Sequence, residues 1–328
     1  MFKNKSILIT GGTGSFGKNF VNFLLKKNFF SKIIIFSRDE LKQFEMKTYF
    51  KNDKRLRFFI GDIRDYERLK LAFENVDFVI HAAALKQVDT GEYNPVEFIK
   101  TNIIGSQNVV QAAFDKRVKK VIALSTDKAS SPINLYGATK LCSDKLFCLA
   151  NNMFSASKTN YSVVRYGNVM MSRGSIIPIF KEVKNNIYKI TDPKMTRFNI
   201  SMNKAIELVI WSLKYTLGGE IVIPNIKSYK ILDLVKSFSS NPKINIIGIR
   251  RGEKIDEEMI SSNESRSCFV VGDKFILSSD YYLHYTYYKK NFKIKKFDKE
   301  FYRSNQNQFL SPKEIKSLIE KESKNYID

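Results

Sequence analysis

The run Thr10-Gly11-Gly12-Thr13-Gly14-Ser15-Phe16-Gly17 narrows the possible folds more than any other part of the chain. It follows an apolar stretch at 5–10 that reads as a short buried strand, and it leads into a helical pattern at 15–28. Gly11 permits a tight turn, Gly14 lets the backbone approach a pyrophosphate, and Gly17 lets the helix pack closely on the sheet. The helix N-terminus then offers N–H donors and a positive dipole end to phosphates. A glycine motif alone is a weak signal; the strand before it and the helix after it make it a dinucleotide-binding turn.

The same alternation continues. Further strands are expected at 32–36, 56–60, 77–81, 119–125 and 161–166, with helices at 38–50, 65–73, 94–114 and 135–150. Strands alternating with helices give a parallel sheet covered on both faces. The fold class is therefore α/β, a doubly wound parallel Rossmann sheet whose ligand sits beyond the strand C-termini. After Asn168 the pattern loosens. Helices are expected at 175–185 and 204–215, and strands at 221–223 and 244–249. These pieces point to a smaller C-terminal α+β substrate domain. The expected division is 1–168 for cofactor and catalysis and 169–328 mainly for substrate, with the two partly interleaved. The segment 281–296, dense in Tyr, Lys and Phe, reads either as a partner surface or as a solvated strand pair.

Composition excludes several classes. The chain has 328 residues, 43% of them hydrophobic, which suits a water-soluble α/β protein. No apolar stretch reaches the roughly 20 residues of a membrane span, and the N-terminus does not read as a signal peptide, so a cytoplasmic location is expected. Cys142, Cys148 and Cys268 form no Cys-x-x-Cys pair, and His81 and His284 are the only imidazoles. Neither a metal site nor a disulfide framework is expected. The net charge of +22 comes from lysines spread along the chain. That favours solvated surface over a nucleic-acid patch, with some of the excess serving an anionic nucleotide.

The end of the second strand bears on the cofactor. An acid there would bind a ribose 2′-hydroxyl; this chain has Ser37-Arg38, with Lys42 one turn on, which suits a 2′-phosphate and predicts NADP. Asp39 and Glu40 fit a helix start, where acids are favoured. Asp62, beside Ile63, is placed either to meet the adenine amine or to cap a helix. Ala82-Ala83-Ala84 is small-residue backbone suited to close approach by a nicotinamide. Lys86 points at the active site or substrate phosphates, or is a surface lysine.

The chemistry is carried by Thr126-Asp127-Lys128 and by Tyr136 and Lys140. Tyr and Lys four apart lie one helical turn apart on one face. An ammonium beside the phenol lowers its pKa and equips it to take a proton from an alcohol.

These motifs resemble the extended short-chain dehydrogenase/reductases. Residues 37–43, 81–88, 92–95, 125–129 and 134–145 resemble more narrowly the inverting UDP-N-acetylglucosamine 4,6-dehydratases of pseudaminic acid biosynthesis. Related dehydratase/5-epimerases share Thr-Asp-Lys but carry Met where this chain has Tyr136. The resemblance implies a redox-neutral cycle: C4 of a UDP-sugar is oxidised, water leaves across C5–C6, and the hydride returns to C6. NADP is regenerated at each turnover and tightly retained. It implies Tyr136 as base at the 4-hydroxyl and Lys140 as holder of the cofactor ribose. Thr126 orients the 4-oxygen. Lys128, as a neutral amine, is the candidate base at C5, and Asp127 is the candidate acid at the 6-hydroxyl. It implies substrate contacts from Lys86, Asn168, Arg173, Ser175, Thr196, Arg197, Arg250 and Glu253, and a homo-oligomer, suggested as a hexamer. Departures from the family pattern are Met171 in place of Gly, Asn199 in place of an aromatic, Arg251 in place of Pro and Asp256 in place of His. A dehydratase/5-epimerase acting on another UDP-sugar and a silent NADP-binding protein are the competing expectations.

Overall fold

β1 (Ser6–Thr10) is buried at every position. Continuous burial of this kind is what a strand covered on both faces requires. The computed structural model describes residues 2–154 and 158–327. It continues with α1 (Ser15–Lys27), β2 (Lys32–Ser37), α2 (Glu40–Tyr49), β3 (Leu56–Ile60), α3 (Tyr66–Ala72) and β4 (Phe78–His81). Two short helices follow, α4 (Val88–Tyr93) and α5 (Pro95–Phe98), then a π-helical stretch at Ile99–Ile104 that runs into α6 (Gly105–Asp115). β5 (Lys120–Thr126), a 3₁₀ turn at Asp127–Ala129, α7 (Leu135–Met153) and β6 (Asn160–Tyr166) complete the alternating part.

The main sheet has ten strands. In spatial order they are Ile294–Lys296, Cys268–Val271, Lys274–Ser278, Glu220–Pro224, β6, β5, β4, β1, β2 and β3. From β3 to Glu220–Pro224 neighbours run parallel; the remaining three are antiparallel additions. The helix Met202–Tyr215 packs with α1 against one face, while α3, α6 and α7 pack together on the other. The expectation that the strand near 221–223 belongs to the substrate domain is corrected. Ile221 and Val222 pair with Val163 and Val164 of β6, so this strand extends the first sheet.

Three further differences have local causes. The single helix expected over 94–114 is interrupted by the π-helical stretch. The segment near 281–296 is a helix, Tyr281–Asn291, followed by the edge strand Ile294–Lys296, so the solvated strand pair is set aside. His284 and Tyr288, one turn apart, are its buried positions. The strand expected over 244–249 is Lys243–Ile246, paired in parallel with Ile187–Ile190.

Apart from the large core around the sheet, a second apolar cluster gathers Met170, Phe180, Tyr188, Tyr229, Leu234 and Ile315. Beside it lies a small sheet of Asn168–Val169, Thr196–Ile200 and Ser228–Lys230. Among the described residues, no helix is long and apolar enough to cross a membrane.

Candidate active site

A cleft of about 1080 Å³ opens where the C-terminal ends of β1, β2, β4 and β5 face the second apolar cluster. That is where a doubly wound sheet places its ligand.

One end is built by the glycine turn. Gly14 occupies the N-cap of α1, no side chain caps it, and the first turn carries no acid. The first N–H groups are thus left facing the cleft, as a phosphate cradle requires. A Cβ on Gly17 would lie 2.2 Å from the Gly12 carbonyl oxygen, so only glycine lets α1 start this close to the turn. Gly11, Thr13, Ser15 and Phe16 line the cleft with them, as do Ile63, Ala82, Ala83 and Ala84.

At the end of β2, Arg38 reaches the cleft with 55% of its side chain exposed, and it lies 3.6 Å from Asp62. The Ser37 hydroxyl accepts from the Gln43 side-chain amide at 3.0 Å. Lys42 is paired with Asp39 at 2.6 Å, and Asp39 caps α2. Asp62 does not cap α3; Asp65 does. The Asp62 carboxylate is instead held by the backbone N–H and guanidinium of Arg64. These residues fit a dinucleotide.

The reactive end is built by β5, the 3₁₀ turn and α7. Asn134 caps α7 by accepting from the Gly137 N–H at 2.7 Å, which fixes Tyr136 in the first turn. A Cβ on Gly137 would lie 2.3 Å from the Lys128 carbonyl oxygen. This glycine brings the turn bearing Asp127 and Lys128 onto the helix bearing Tyr136. The Thr126 hydroxyl donates to Asp127 Oδ1 at 3.0 Å and acts on the nearby Tyr136 phenol.

The charges differ from expectation in two ways. The Tyr136–Lys140 spacing predicts that Lys140 lowers the Tyr136 pKa. Its ammonium is buried and donates to the Leu124 carbonyl at 2.7 Å. Burial pushes the Tyr136 phenol up to about 12; the nearby Lys128 charge and Thr126 only partly oppose this. Lys128 is thus the largest cationic influence on the phenol.

The family resemblance implies Lys128 as a neutral base. Its Nζ lies 3.1 Å from Asp127 Oδ1 and 3.0 Å from Glu257 Oε1. Burial presses its pKa down, but the two carboxylates outweigh that and hold it above the ordinary lysine value. Asp127 is fully buried and outside the cleft lining. Desolvation raises its pKa, with Lys128 opposing.

On the substrate side, Lys86, Asn168, Arg173, Ser175, Arg197, Arg250 and Glu253 all line the cleft. Thr196 does not; its hydroxyl donates to Asp256 at 2.6 Å beneath the surface. Lys86 Nζ donates to the Arg173 carbonyl at 3.2 Å, and the Arg173 N–H donates to Ser15 at 3.2 Å. The loop after Asn168 thus lies against the glycine turn. Met171 in that loop has φ +63°, in the left-handed region that favours glycine. This accounts for the glycine common there in the resembled family. Arg197 spends its guanidinium on the carbonyls of Thr196, Lys254 and Ile255. Glu253 accepts from the Arg250 N–H and braces the same loop.

Several residues of the site escape a reading of motifs. Glu257 has no local signal beyond following Lys254. Asn134 also donates to the Gly252 carbonyl at 2.7 Å, tying the substrate loop to α7. Asn102, in the π-helical stretch, pairs with both backbone groups of Leu85 at 2.9 Å and fixes the loop after β4. Asp144, one turn beyond Lys140, pairs with Arg165, which is fully buried.

Known proteins resemble this chain over most of its length. A Campylobacter jejuni protein named UDP-N-acetylglucosamine 4,6-dehydratase (inverting) is 54% identical over 281 residues, covering 85% of this chain and 84% of its own. A Rickettsia bellii protein named UDP-glucose 4-epimerase is 42% identical over 329 residues, 97% of this chain and 96% of its own. The X-ray structure of Pen from Bacillus thuringiensis superposes with a TM-score of 0.89 at 40% identity, covering 98% of this chain and 99% of that one. Residues 7–279 match the sequence model of one family over most of the chain, and the protein belongs to that family, the polysaccharide biosynthesis proteins.

Proposed function

We propose that this chain is an NADP-dependent UDP-N-acetylglucosamine 4,6-dehydratase that inverts C5. The observation that carries the reading is the convergence of Thr126, Lys128 and Tyr136 in the same cleft as the glycine turn. The identity of 54% with a relative named for that activity supports it. When bound, the nicotinamide supplies hydride chemistry, accepting from C4 and returning to C6.

The chain's own groups do the rest. Tyr136 takes the 4-hydroxyl proton, aided by the Lys128 charge and by Thr126. The ketone at C4 then acidifies the C5 hydrogen, and the Asp127–Lys128 pair serves the loss of water. Arg38 recognises the 2′-phosphate that separates NADP from NAD. Arg250 and Arg173 meet the substrate diphosphate. The product is UDP-2-acetamido-2,6-dideoxy-β-L-arabino-hex-4-ulose, a precursor for pseudaminic acid in surface or flagellin glycans. A cytoplasmic homo-oligomer, hexameric by family resemblance, completes the reading.

The test is NMR and mass analysis after incubation with UDP-N-acetylglucosamine in heavy water. Loss of one water with one deuterium at an inverted C5 is the expected result. Deuterium at C5 with retained configuration would keep the dehydratase class and remove the inversion. The relative named UDP-glucose 4-epimerase favours a second reading, which predicts conversion of UDP-glucose with no change of mass.

A further inference from the structure

Lys128 stands between two acids that sequence motifs do not pair. Its Nζ is 3.1 Å from Asp127 Oδ1 and 3.0 Å from Glu257 Oε1. The side chains of Asp127 and Glu257 are 1% and 2% exposed, whereas that of Lys128 is 22% exposed. Lys128 is therefore the member of the trio most open to the cleft. Asp127 Oδ2 and Glu257 Oε2 are both buried without a hydrogen-bond partner. A buried carboxylate is stable only when paired, and Lys128 is the shared partner.

The surroundings of Glu257 leave it to this task. Arg197 Nε lies 3.8 Å away, but its guanidinium is tied to backbone carbonyls. Lys254 donates to the Ser130 carbonyl. The flanking acids serve elsewhere: Asp256 accepts from Thr196 and Asn305, and Glu258 from Ser131 and Arg303. Tyr136 and Tyr229 also sense the Lys128 charge.

We propose that Glu257 is the positioning residue of this site: it holds the Lys128 ammonium between two buried carboxylates, so that Lys128 is charged and fixed in place when the sugar binds. This rests on the dehydratase reading above and assigns within it a role opposite to that of a neutral lysine base. The direction of the Lys128 shift, upward despite burial, agrees with the geometry.

The experiment uses the full-length protein loaded with NADP, and Glu257→Gln, which keeps the side chain's size and its hydrogen bond to Lys128. Two readouts are followed: near-ultraviolet absorbance of the reduced nicotinamide, and release of the 4-keto product. Oxidation at C4 depends on Tyr136, so the variant is expected to reduce its cofactor on mixing with UDP-N-acetylglucosamine. Product release is expected to fall, with reduced cofactor accumulating. Glu257→Asp is expected to restore part of the rate. A faster Glu257→Gln enzyme would overturn the proposal, because a neutral lysine base would profit from losing the carboxylate. Unchanged product release with no accumulation of reduced cofactor would also overturn it, as would loss of cofactor reduction together with turnover, which marks a purely structural role. Absence of both cofactor reduction and water loss in the unaltered protein would instead refute the dehydratase reading.

Discussion

Arg165 is fully buried, and its charge is met from two sides. One guanidinium nitrogen donates to the Met259 carbonyl at 3.0 Å and to Glu264 at 2.9 Å. The other donates to Asp144 at 3.1 Å. Arg165→Met keeps an unbranched, similarly sized stem and removes all three bonds. Asp144, 2% exposed, would lose its guanidinium partner. Breaking a buried pair from one side costs about 3–5 kcal/mol, because the partner is left charged and dry. A domain of 150–250 residues loses about 2–4 °C of Tm per kcal/mol. At the low end of that range, suited to a longer chain, a drop of roughly 6–10 °C is expected by calorimetry.

A second substitution isolates the cause. If the stranded Asp144 charge is responsible, Asp144→Asn on the Arg165→Met background should recover about 1–2 kcal/mol of the loss. The pH dependence has a defined sign. Burial raises the Glu264 pKa, but Arg165 and the Ser261 bonds outweigh it, so the folded value lies below 4.5. Stability from Glu264 is then full above pH 4.5 and is lost as pH falls through the lower folded value. The Glu264 share of the difference between the two proteins should shrink in that acidic window. A Tm change under 2 °C, or a double variant no better than the single one, would refute the reasoning: desolvation of the three ions would then cancel their attraction.

Other outcomes are expected on the same grounds. Tyr136→Phe should lower turnover by about 10²–10⁴-fold, the usual range for a lost general base, while purified protein keeps its cofactor; normal turnover would remove Tyr136 from the chemistry. Gly17→Ala forces a Cβ to within 2.2 Å of the Gly12 carbonyl oxygen, so α1 must shift. Overpacking of about 1–3 kcal/mol should appear as weaker cofactor affinity in titration calorimetry. Arg38→Ala should weaken NADP by about tenfold or more, from the loss of a charged hydrogen bond of roughly 1.5–3 kcal/mol, and leave NAD affinity nearly unchanged. Equal losses for both would place the 2′-phosphate elsewhere.

The sequence is most legible where function and local structure share a few consecutive residues. The glycine turn, the Tyr136–Lys140 spacing and the strands of the parallel sheet all depend on neighbours in the chain. What escaped depends on pairing across the fold. The alternation near Ile221 reveals a strand but not which edge it joins, and β6 supplied that edge. Lys140 lies one turn from Tyr136 as expected, yet a buried Leu124 carbonyl claims its ammonium. Burial alone would favour a neutral Lys128; Asp127 beside it, joined by Glu257 from far along the chain, reverses that sign. The Tyr281–Asn291 helix carries aromatic residues on several faces, so its pattern has no clear period, and its packing against Phe269 and Trp211 comes from distant parts of the chain.

The tie between the substrate loop and the catalytic turn also bears on how the protein assembles. Asn134 bonds to Gly252, Lys254 to Ser130 and Ser131 to Glu258, pairs separated by 118, 124 and 127 residues. Closing a loop of that length costs on the order of 4 kcal/mol in chain entropy, which must be spent before any of these bonds form. The strands β1 to β6 can pair through shorter crossovers, so the sheet should form first and the reactive floor last. In refolding, enzymatic activity should therefore emerge in a later phase than far-ultraviolet dichroism. On the ribosome, the catalytic trio cannot close until the segment carrying Glu257 has left the exit tunnel, well after the cofactor turn is in place.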